Sequence, residues 1–303
     1  NTAVSEDYLK GLLLPFEVKE TMLVGIDVNH PGQFDKIAAS IAAAVGTSDS
    51  TMTAYSCSVR VQEKFHSEAV EHIGEMVGSL VANFKERNRG VLPRNILVFR
   101  DGVSDGYFGR IEAEEIAALE TAVRALVKDV RFAFIIVQKN HNARFGLTRA
   151  NTTASGKPTF NVEPGTVVDS FVVDPVRENM YLNSHFSYLG TSKPSRYLVL
   201  RDDFSLSADQ LEKVSFFACH NCARTRKPIS TPVPIRYAHL CALRAMLHLQ
   251  AQDFIDSDFI TVSSSGGGDG RGFSNYERKG VKVEKLAMCI EHSKVNCKRL
   301  YYV

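Results

Sequence analysis

The hydrophobic and polar positions in the first sixty residues predict strands. Met22–Val28 is apolar and partly β-branched, and it ends at an Asn-His-Pro-Gly stretch in which proline and glycine stop a strand. Ile37–Val45 fits either a second strand or a short helix, because alanine is compatible with both. Thr53–Val61 alternates large side chains with small or polar ones, as a half-buried strand does. Two or three consecutive strands therefore open the chain.

The spacing of the apolar residues then changes from that of a strand to that of a helix. From Ser67 onward the apolar residues recur on one helical face, Asn95–Arg100 is an apolar strand, Glu112–Lys128 is an amphipathic helix, and Arg131–Gln138 is another apolar strand. Consecutive strands followed by strand-helix-strand units give a mixed sheet with helices on its faces. The predicted fold class is α/β, with a ribonuclease H-like mixed sheet and C-terminal helical and strand extensions.

The second half offers shorter elements, separated by Gly, Ser and Pro. A flexible loop is predicted at Ala150–Pro158 and a mobile Ser/Gly run at Ser263–Gly272. The predicted strands are Gly165–Val173, Met180–Ser184 and Arg196–Leu200, and the predicted helices are Ala208–Arg224, Arg236–Gln252 and Val281–Cys297.

Length and composition are those of a globular protein. The chain has 303 residues, 44% of them hydrophobic, and no apolar run approaches the roughly 20 residues that cross a bilayer. We therefore expect no membrane partner and no secretion signal. The chain begins with Asn, which suggests a single domain, residues 1–303, excised from a longer protein.

Six scattered cysteines favour a reducing compartment over a disulfide framework. This predicts a cytoplasmic location, with the nucleus as the alternative. Cys219 and Cys222 have the spacing of a zinc or redox pair, but no second pair accompanies them and they lie in a helical pattern. We interpret them as two buried cysteines of a helix.

The net charge is only +2, but its distribution is uneven. Basic residues concentrate in the C-terminal third, in Arg224–Lys227, Arg236, Arg244 and Lys298–Arg299, whereas Glu112–Glu120 is acidic. Such asymmetry suggests a local anionic partner, although a run of charges is more often just a solvated face.

Two aspartates each follow a buried strand. Asp27 ends the apolar part of MLVGIDVNHP, and Asp101 ends that of NILVFRDGV. Each acid alone could cap a turn. If the two strands pair, however, the carboxylates meet at one edge of the sheet, where hard oxygen ligands for two metal ions would be held rigidly. In that case the second acid of the stretch, Asp105, is left as a turn or helix cap.

Longer motifs resemble a known family. GIDVNHP, VRVQ, FRDGVSDGYF, VQKNHNARF, PGTVVDS, LNSHFSYLGTSKPSRYLVLRDD, ARTRKPISTPVPIRYAHLCALRA and the terminal YYV look like the PIWI domain of a eukaryotic Argonaute, in family order. The resemblance implies an endonuclease that cuts RNA paired to a small guide RNA. It also implies a longer chain that carries N, PAZ and MID domains.

The resemblance assigns a catalytic tetrad. Asp27, Asp101 and His239 match the metal ligands of the family, which bind Mg²⁺, with Mn²⁺ as the alternative. Glu68 is the choice for the glutamate of the tetrad, but one extra residue in the segment leaves Glu63 and Glu71 open.

The resemblance also implies contacts to the guide RNA. The implied contact residues are Lys139, Arg144, His185, Lys193, Arg224, Arg244 and the C-terminal carboxylate of Val303. Where the family often has a second basic residue after Arg244, this chain has Met246. The expected partners are a guide RNA, a complementary target RNA, the MID domain of the same protein and silencing proteins.

Two functions follow from these expectations. The first is guide-directed cleavage of RNA, a Mg²⁺-dependent endoribonuclease activity. The second is a guide-RNA-binding silencing protein that recruits partners and cuts nothing. An intact set of catalytic residues favours cleavage without guaranteeing it.

Overall fold

The computed structural model of the chain describes residues 14–32, 39–63, 68–152, 156–187, 189–220, 222–254, 258–264 and 276–292. Within these ranges, the strands are β1 Thr21–Asn29, β2 Ile41–Thr47, β3 Tyr55–Val61, β4 Asn95–Asp101, β5 Arg131–Gln138, β6 Gly146–Thr152, β7 Pro158–Asn161, β8 Thr166–Val168, β9 Asn179–Asn183, β10 Ser195–Asp202, β11 Phe259–Ser264 and β12 Tyr276–Val281. The helices are α1 Ile73–Arg87, α2 Ala117–Leu126, α3 Ala208–Ala218, α4 Val233–Gln250 and α5 Val283–His292.

Eight strands form one mixed sheet in the order β3-β2-β1-β4-β5-β10-β9-β8. The first three strands form an antiparallel meander. Strand β4 then pairs parallel with β1, β5 pairs parallel with β4, and β10 pairs antiparallel with β5. The predicted mixed sheet flanked by helices is confirmed. Its parallel centre is buried on both faces, which explains why β1, β4 and β5 have almost continuous apolar sequences.

Helices cover both faces of the sheet. On one face, α1 buries Ile73, Met76, Val77, Leu80, Val81 and Phe84, the apolar stripe that its sequence predicts. The same core contains Leu119 and Val123 of α2. On the other face, the long helix α4 packs its apolar residues against β2 and β3. The sheet is therefore the middle layer, and the ends of its parallel strands lie between these helices.

Several predicted boundaries are wrong. The segment predicted as a strand at Gly165–Val173 is extended only over Thr166–Val168, and Phe171 has φ of +62°, which an extended strand does not allow. The ambiguous segment Ile37–Val45 overlaps strand β2, which runs from Ile41 to Thr47, and its first two residues lie outside the described residues. The Ser/Gly run is described only at Ser263 and Ser264, which belong to β11; the rest of it lies outside the described residues.

Helix α3 ends at Ala218, before the predicted end at Arg224. A Ser207 capping box starts it, and its apolar pattern stops at Ala218. Cys219 is the C-cap and Cys222 lies beyond it, so the two cysteines do not belong to the body of a helix. Both are nevertheless buried and free, as we expected. Burial raises the pKa of the Cys219 thiol to about 11, which disfavours thiolate chemistry.

None of the helices in the described part of the chain is both long enough and apolar enough to cross a membrane.

Candidate active site

The sheet brings the two predicted aspartates side by side. Strands β1 and β4 are parallel neighbours, and Ile26 pairs with Arg100, so Asp27 and Asp101 occupy the next position on each strand. Asp27 is 7% exposed, and Asp101 is partly buried where β4 ends. The predicted meeting of the two carboxylates at one edge of the sheet is confirmed.

Helix α4 adds a histidine to this pair. Nδ1 of His239 lies 2.9 Å from Oδ2 of Asp27. The approach requires Gly25, because a side-chain carbon at this position would overlap the backbone of Pro234 and Ile235 in the first turn of α4. A glycine two residues before Asp27 thus lets the helix come close enough for His239 to reach the strand.

The three groups perturb one another electrostatically. Burial and the neighbouring Asp27 raise the pKa of Asp101 to about 6, although Arg100, the Gly102 amide and His239 act in the opposite direction. The hydrogen bond to Asp27 raises the pKa of His239, against the effects of burial and Arg236. A buried carboxylate at Asp101, held beside the charge of Asp27, forms a site that a cation would stabilise.

The donor set fits a hard divalent cation. Two carboxylates on rigid strand ends supply the oxygen ligands that Mg²⁺ prefers, and the imidazole is a further ligand. No three His, Cys, Asp or Glu side chains converge as ready ligands in the described ranges.

The predicted glutamate lies near the pair, but its carboxylate does not touch it. The backbone carbonyl of Glu68 accepts a hydrogen bond from Arg100, the residue before Asp101. Glu71 instead accepts a bond from the backbone N–H of Glu63 at 2.6 Å. Of the three candidates, Glu68 is the one whose backbone is hydrogen-bonded to the end of β4. Glu68 therefore stays the preferred candidate for the glutamate of the tetrad.

An open pocket of about 440 Å³ adjoins the acids. It is lined by Asp101 and His239 and by basic or ionisable residues, namely Lys139, His185, Lys227 and Arg236. Burial lowers the pKa of Lys139, and the positive charges of Lys193 and Arg236 lower it further, against the effect of Asp101. Nζ of Lys139 lies 2.5 Å from the Ser230 hydroxyl. The pocket can therefore accept an anion beside the carboxylates.

The other predicted guide contacts are not part of this pocket lining. Arg144 is exposed and donates to the carbonyls of His141 and Ala143, and Arg224 is exposed. Arg244 is also exposed and donates to His248. Lys193 is near enough to Lys139 to lower its pKa. Val303 lies outside the described residues.

Three features of the site were missed at the sequence level. Arg236 precedes His239 by three residues, close to one helical turn, and a search for basic residues on the same face would have found it. Arg100 is 1% exposed and pairs with Glu115, which is 0% exposed. An arginine within an apolar strand was the available signal. Glu115 was hidden in what we interpreted as a solvated acidic face.

Asp105 also differs from expectation. Ser104, not Asp105, is the N-cap residue of the short turn that follows β4. The Asp105 carboxylate instead accepts hydrogen bonds from Gln138 at 2.8 Å and Arg196 at 3.0 Å. Burial raises its pKa, but the bonds to Gln138 and Arg196 outweigh burial, and the net effect is a lowered pKa.

Comparison with known proteins gives the family. The model of the Piwi domain matches residues 9–250. Two curated relatives come from Oryza sativa subsp. japonica: Protein argonaute 2 is 38% identical over 231 residues, and Protein argonaute 18 is 37% identical over 231 residues. The matches cover 76% of this chain but only 22% and 21% of the relatives. The chain belongs to the Piwi-domain family of Argonaute proteins.

Solved structures agree with this fold. The Kluyveromyces polysporus Argonaute with a guide RNA superposes with a TM-score of 0.74 at 26% identity, over 82% of this chain and 29% of that one. Drosophila Piwi superposes with a TM-score of 0.62 at 23% identity, over 74% of this chain and 29% of that one. The fold is the ribonuclease H-like fold of the Argonaute PIWI lobe.

Proposed function

We propose that this chain is the nuclease domain of a guide-RNA-directed endoribonuclease, which cuts a complementary RNA in RNA silencing. The observation that carries the proposal is the placement of Asp27 and Asp101 at matching positions of two parallel strands, with His239 bonded to the first. Family membership supports it, since one structurally similar relative was solved with a guide RNA.

In this proposal Asp27, Asp101 and His239 hold Mg²⁺, with Mn²⁺ as a substitute. The ions would supply an activated water and charge neutralisation at the leaving 3′ oxygen. The strand ends hold the carboxylates rigidly, and Glu68 completes the carboxylate set when duplex is bound. A bound cation would also offset the burial and the neighbouring charge that raise the pKa of Asp101.

The basic residues hold the nucleic acid through its backbone. Base pairing reads the sequence, so the protein needs cations and polar donors that follow an A-form duplex. Lys139 and His185 line the pocket beside Asp101 and are suited to a phosphate near the cleavage position. Arg144, Lys193, Arg224, Arg244 and Val303 are proposed for the rest of the guide, together with the MID domain of the full-length protein.

A second function has one observation in its favour. No set of three ready metal ligands is present in the described segments, and there the Glu68 carboxylate makes no hydrogen bond to Asp27, Asp101 or His239. A protein that only binds a guide RNA and recruits silencing partners would tolerate this arrangement.

A cleavage assay separates the two functions. The full-length protein is loaded with one guide RNA and given Mg²⁺ with a perfectly matched RNA target or a target mismatched at its centre. Cleavage of the matched target at one position supports the proposed enzyme. Tight binding of the matched target without any cut, in Mg²⁺ and in Mn²⁺, would establish the binding function instead.

A further inference from the structure

A fully buried ion pair lies directly beneath the candidate active site. Nε of Arg100 is 3.2 Å from Oε2 of Glu115, and the two side chains are 1% and 0% exposed. Removing two charges from water is costly, and an apolar pair of similar volume is often at least as stable. The pair therefore calls for a reason other than the stability of the fold.

Glu115 lies on the inward-facing side of its helical segment. Ile111–Ile116 is π-helical and runs without a break into α2. Glu115 is four residues after Ile111 and four before Leu119, and all three are buried, so the helix directs the Glu115 carboxylate into the core.

Hydrogen bonds from the pair reach the backbone on both sides of the site. Arg100 donates to the carbonyl of Asp101 at 2.5 Å and also to the carbonyl of Glu68. Glu115 accepts the backbone N–H of Val70 at 2.8 Å. The Arg100 and Glu115 side chains thus form hydrogen bonds with the two ends of the segment Glu68–Val70. Because Arg100 belongs to β4, these bonds connect the segment to the end of that strand.

The charges of the site also converge on Arg100. Glu115 is hydrogen-bonded to the Arg100 guanidinium, and the charges of Asp27 and Glu68 also act on it. Without Glu115, Arg100 would be free to pair with Asp27 or Glu68 and to occupy the position of a cation.

We propose that Glu115 is a positioning residue of the nuclease: it holds Arg100 away from the catalytic carboxylates and, with Arg100, ties the Glu68 segment to the Asp101 strand end. This inference rests on the proposed cleavage function. It assigns a specific task to an acid that touches neither RNA nor metal.

Two variants and one control test it in the full-length protein. Glu115→Gln keeps the volume and an acceptor for Val70 but removes the charge that holds Arg100. Arg100→Met/Glu115→Leu removes both charges without leaving either one unpaired, so it should fold. Glu114→Gln is the matched control, because Glu114 is the neighbouring acid and forms an exposed pair with Arg110.

The first readout is hydrogen exchange, which needs neither guide nor metal. The double variant should exchange the amides of residues 68–72 at least about tenfold faster, while β4 and α1 keep their protection. Glu115→Gln should fall between it and the wild type, and Glu114→Gln should match the wild type. Unchanged exchange at residues 68–72, or faster exchange throughout the sheet, would overturn the proposal.

The second readout is cleavage by the guide-loaded protein. The double variant should lose about 100-fold in kcat with little change in KM, because a displaced acid weakens chemistry and not duplex binding. Wild-type kcat in both Glu115 variants would overturn the positioning role. If the wild-type protein cuts no target, the proposed cleavage function fails. The exchange experiment still decides whether Arg100 and Glu115 hold the Glu68 segment against the end of β4.

Discussion

His239 and Asp27 are 212 positions apart in the chain, and their side chains are 2.9 Å apart in the fold. The contact joins the first strand of the sheet to its longest helix and creates a three-group site with Asp101. Because Nδ1 of His239 faces Asp27, the other ring nitrogen is left for a ligand or a second partner. This geometry leads to four predictions besides the Glu115 experiment.

The first prediction concerns the pKa of His239. Asp27→Asn removes the charged acceptor that raises this pKa, whereas burial and Arg236, which lower it, remain. The midpoint of the His239 titration should therefore fall in the metal-free protein. Titration of the His239 ring by NMR measures it, with Asp105→Asn as the control. An unchanged midpoint in Asp27→Asn would mean that the hydrogen bond does not persist in solution.

The second prediction concerns the dependence of stability on pH. The pKa of Asp101 is raised from 3.8 to about 6, so the folded protein binds this proton more tightly than the unfolded chain. Stability is therefore lost as pH rises from about 4 to about 6, and the loss is complete above that range. Asp101→Asn should stabilise the metal-free protein by about 2–3 kcal/mol at pH 7.5 and by almost nothing at pH 3.5.

Thermal unfolding at the two pH values checks this sign. Saturating Mg²⁺ should narrow the difference at pH 7.5, because a bound cation stabilises the wild-type carboxylates and has less to bind in the variant. Equal unfolding temperatures for the two proteins at pH 7.5 without metal would contradict the prediction.

The third prediction concerns Gly25. Gly25→Ala places a methyl group against the backbone of Pro234 and Ile235, and backbone atoms at a helix start cannot move cheaply. We expect a loss of about 1–3 kcal/mol in the free energy of unfolding and a weakened contact between His239 and Asp27. Urea unfolding measures the first effect, and the His239 titration measures the second.

Gly78→Ala is the matched control for Gly25. Gly78 lies in α1, where an added methyl group meets Leu126 at 3.5 Å, an ordinary contact. Alanine in a helix interior should stabilise the protein by up to about 1 kcal/mol. Similar losses of unfolding free energy in the two variants would show that the packing of α4 on β1 does not depend on the absence of a side chain at Gly25.

The fourth prediction concerns the anion pocket. Lys139→Ala and Arg236→Ala should weaken binding of the guide–target duplex and reduce the slope of log affinity against log salt by roughly 0.7–0.9 each. Arg124→Ala, at an exposed pair with Glu120 on α2, should leave the slope unchanged. A wild-type slope in both pocket variants would rule out phosphate binding there.

The sequence was sufficient for the parts of the fold that depend on local period. Apolar runs placed β1, β4 and β5, and a helical stripe placed α1, since burial on one or two faces leaves a direct mark on the residue pattern. Asp27 and Asp101 were found because an acid after a buried strand departs from that pattern.

Other parts depend on tertiary contacts that no local pattern records. The partner of Arg100 was not predicted, because Glu115 was grouped with the neighbouring acids Glu112 and Glu114 as one charged stretch. The ends of α3 and β8 were predicted too late for a similar reason, since helix caps and positive φ angles are poorly marked when no glycine is present. Arg236, by contrast, could have been predicted as a site residue from its helical spacing to His239.

The measurement that tests the central claim most directly compares two aspartates of one short stretch. Asp101→Ala and Asp105→Ala are prepared in the full-length protein, loaded with the same guide RNA, and given a matched target with Mg²⁺. Asp101→Ala should bind the target and cut none of it, whereas Asp105→Ala should cut at close to the wild-type rate, because the Asp105 carboxylate accepts its hydrogen bonds from Gln138 and Arg196 and not from His239. Cleavage by the Asp101→Ala protein at the wild-type rate would contradict the assignment of this strand end as the active site.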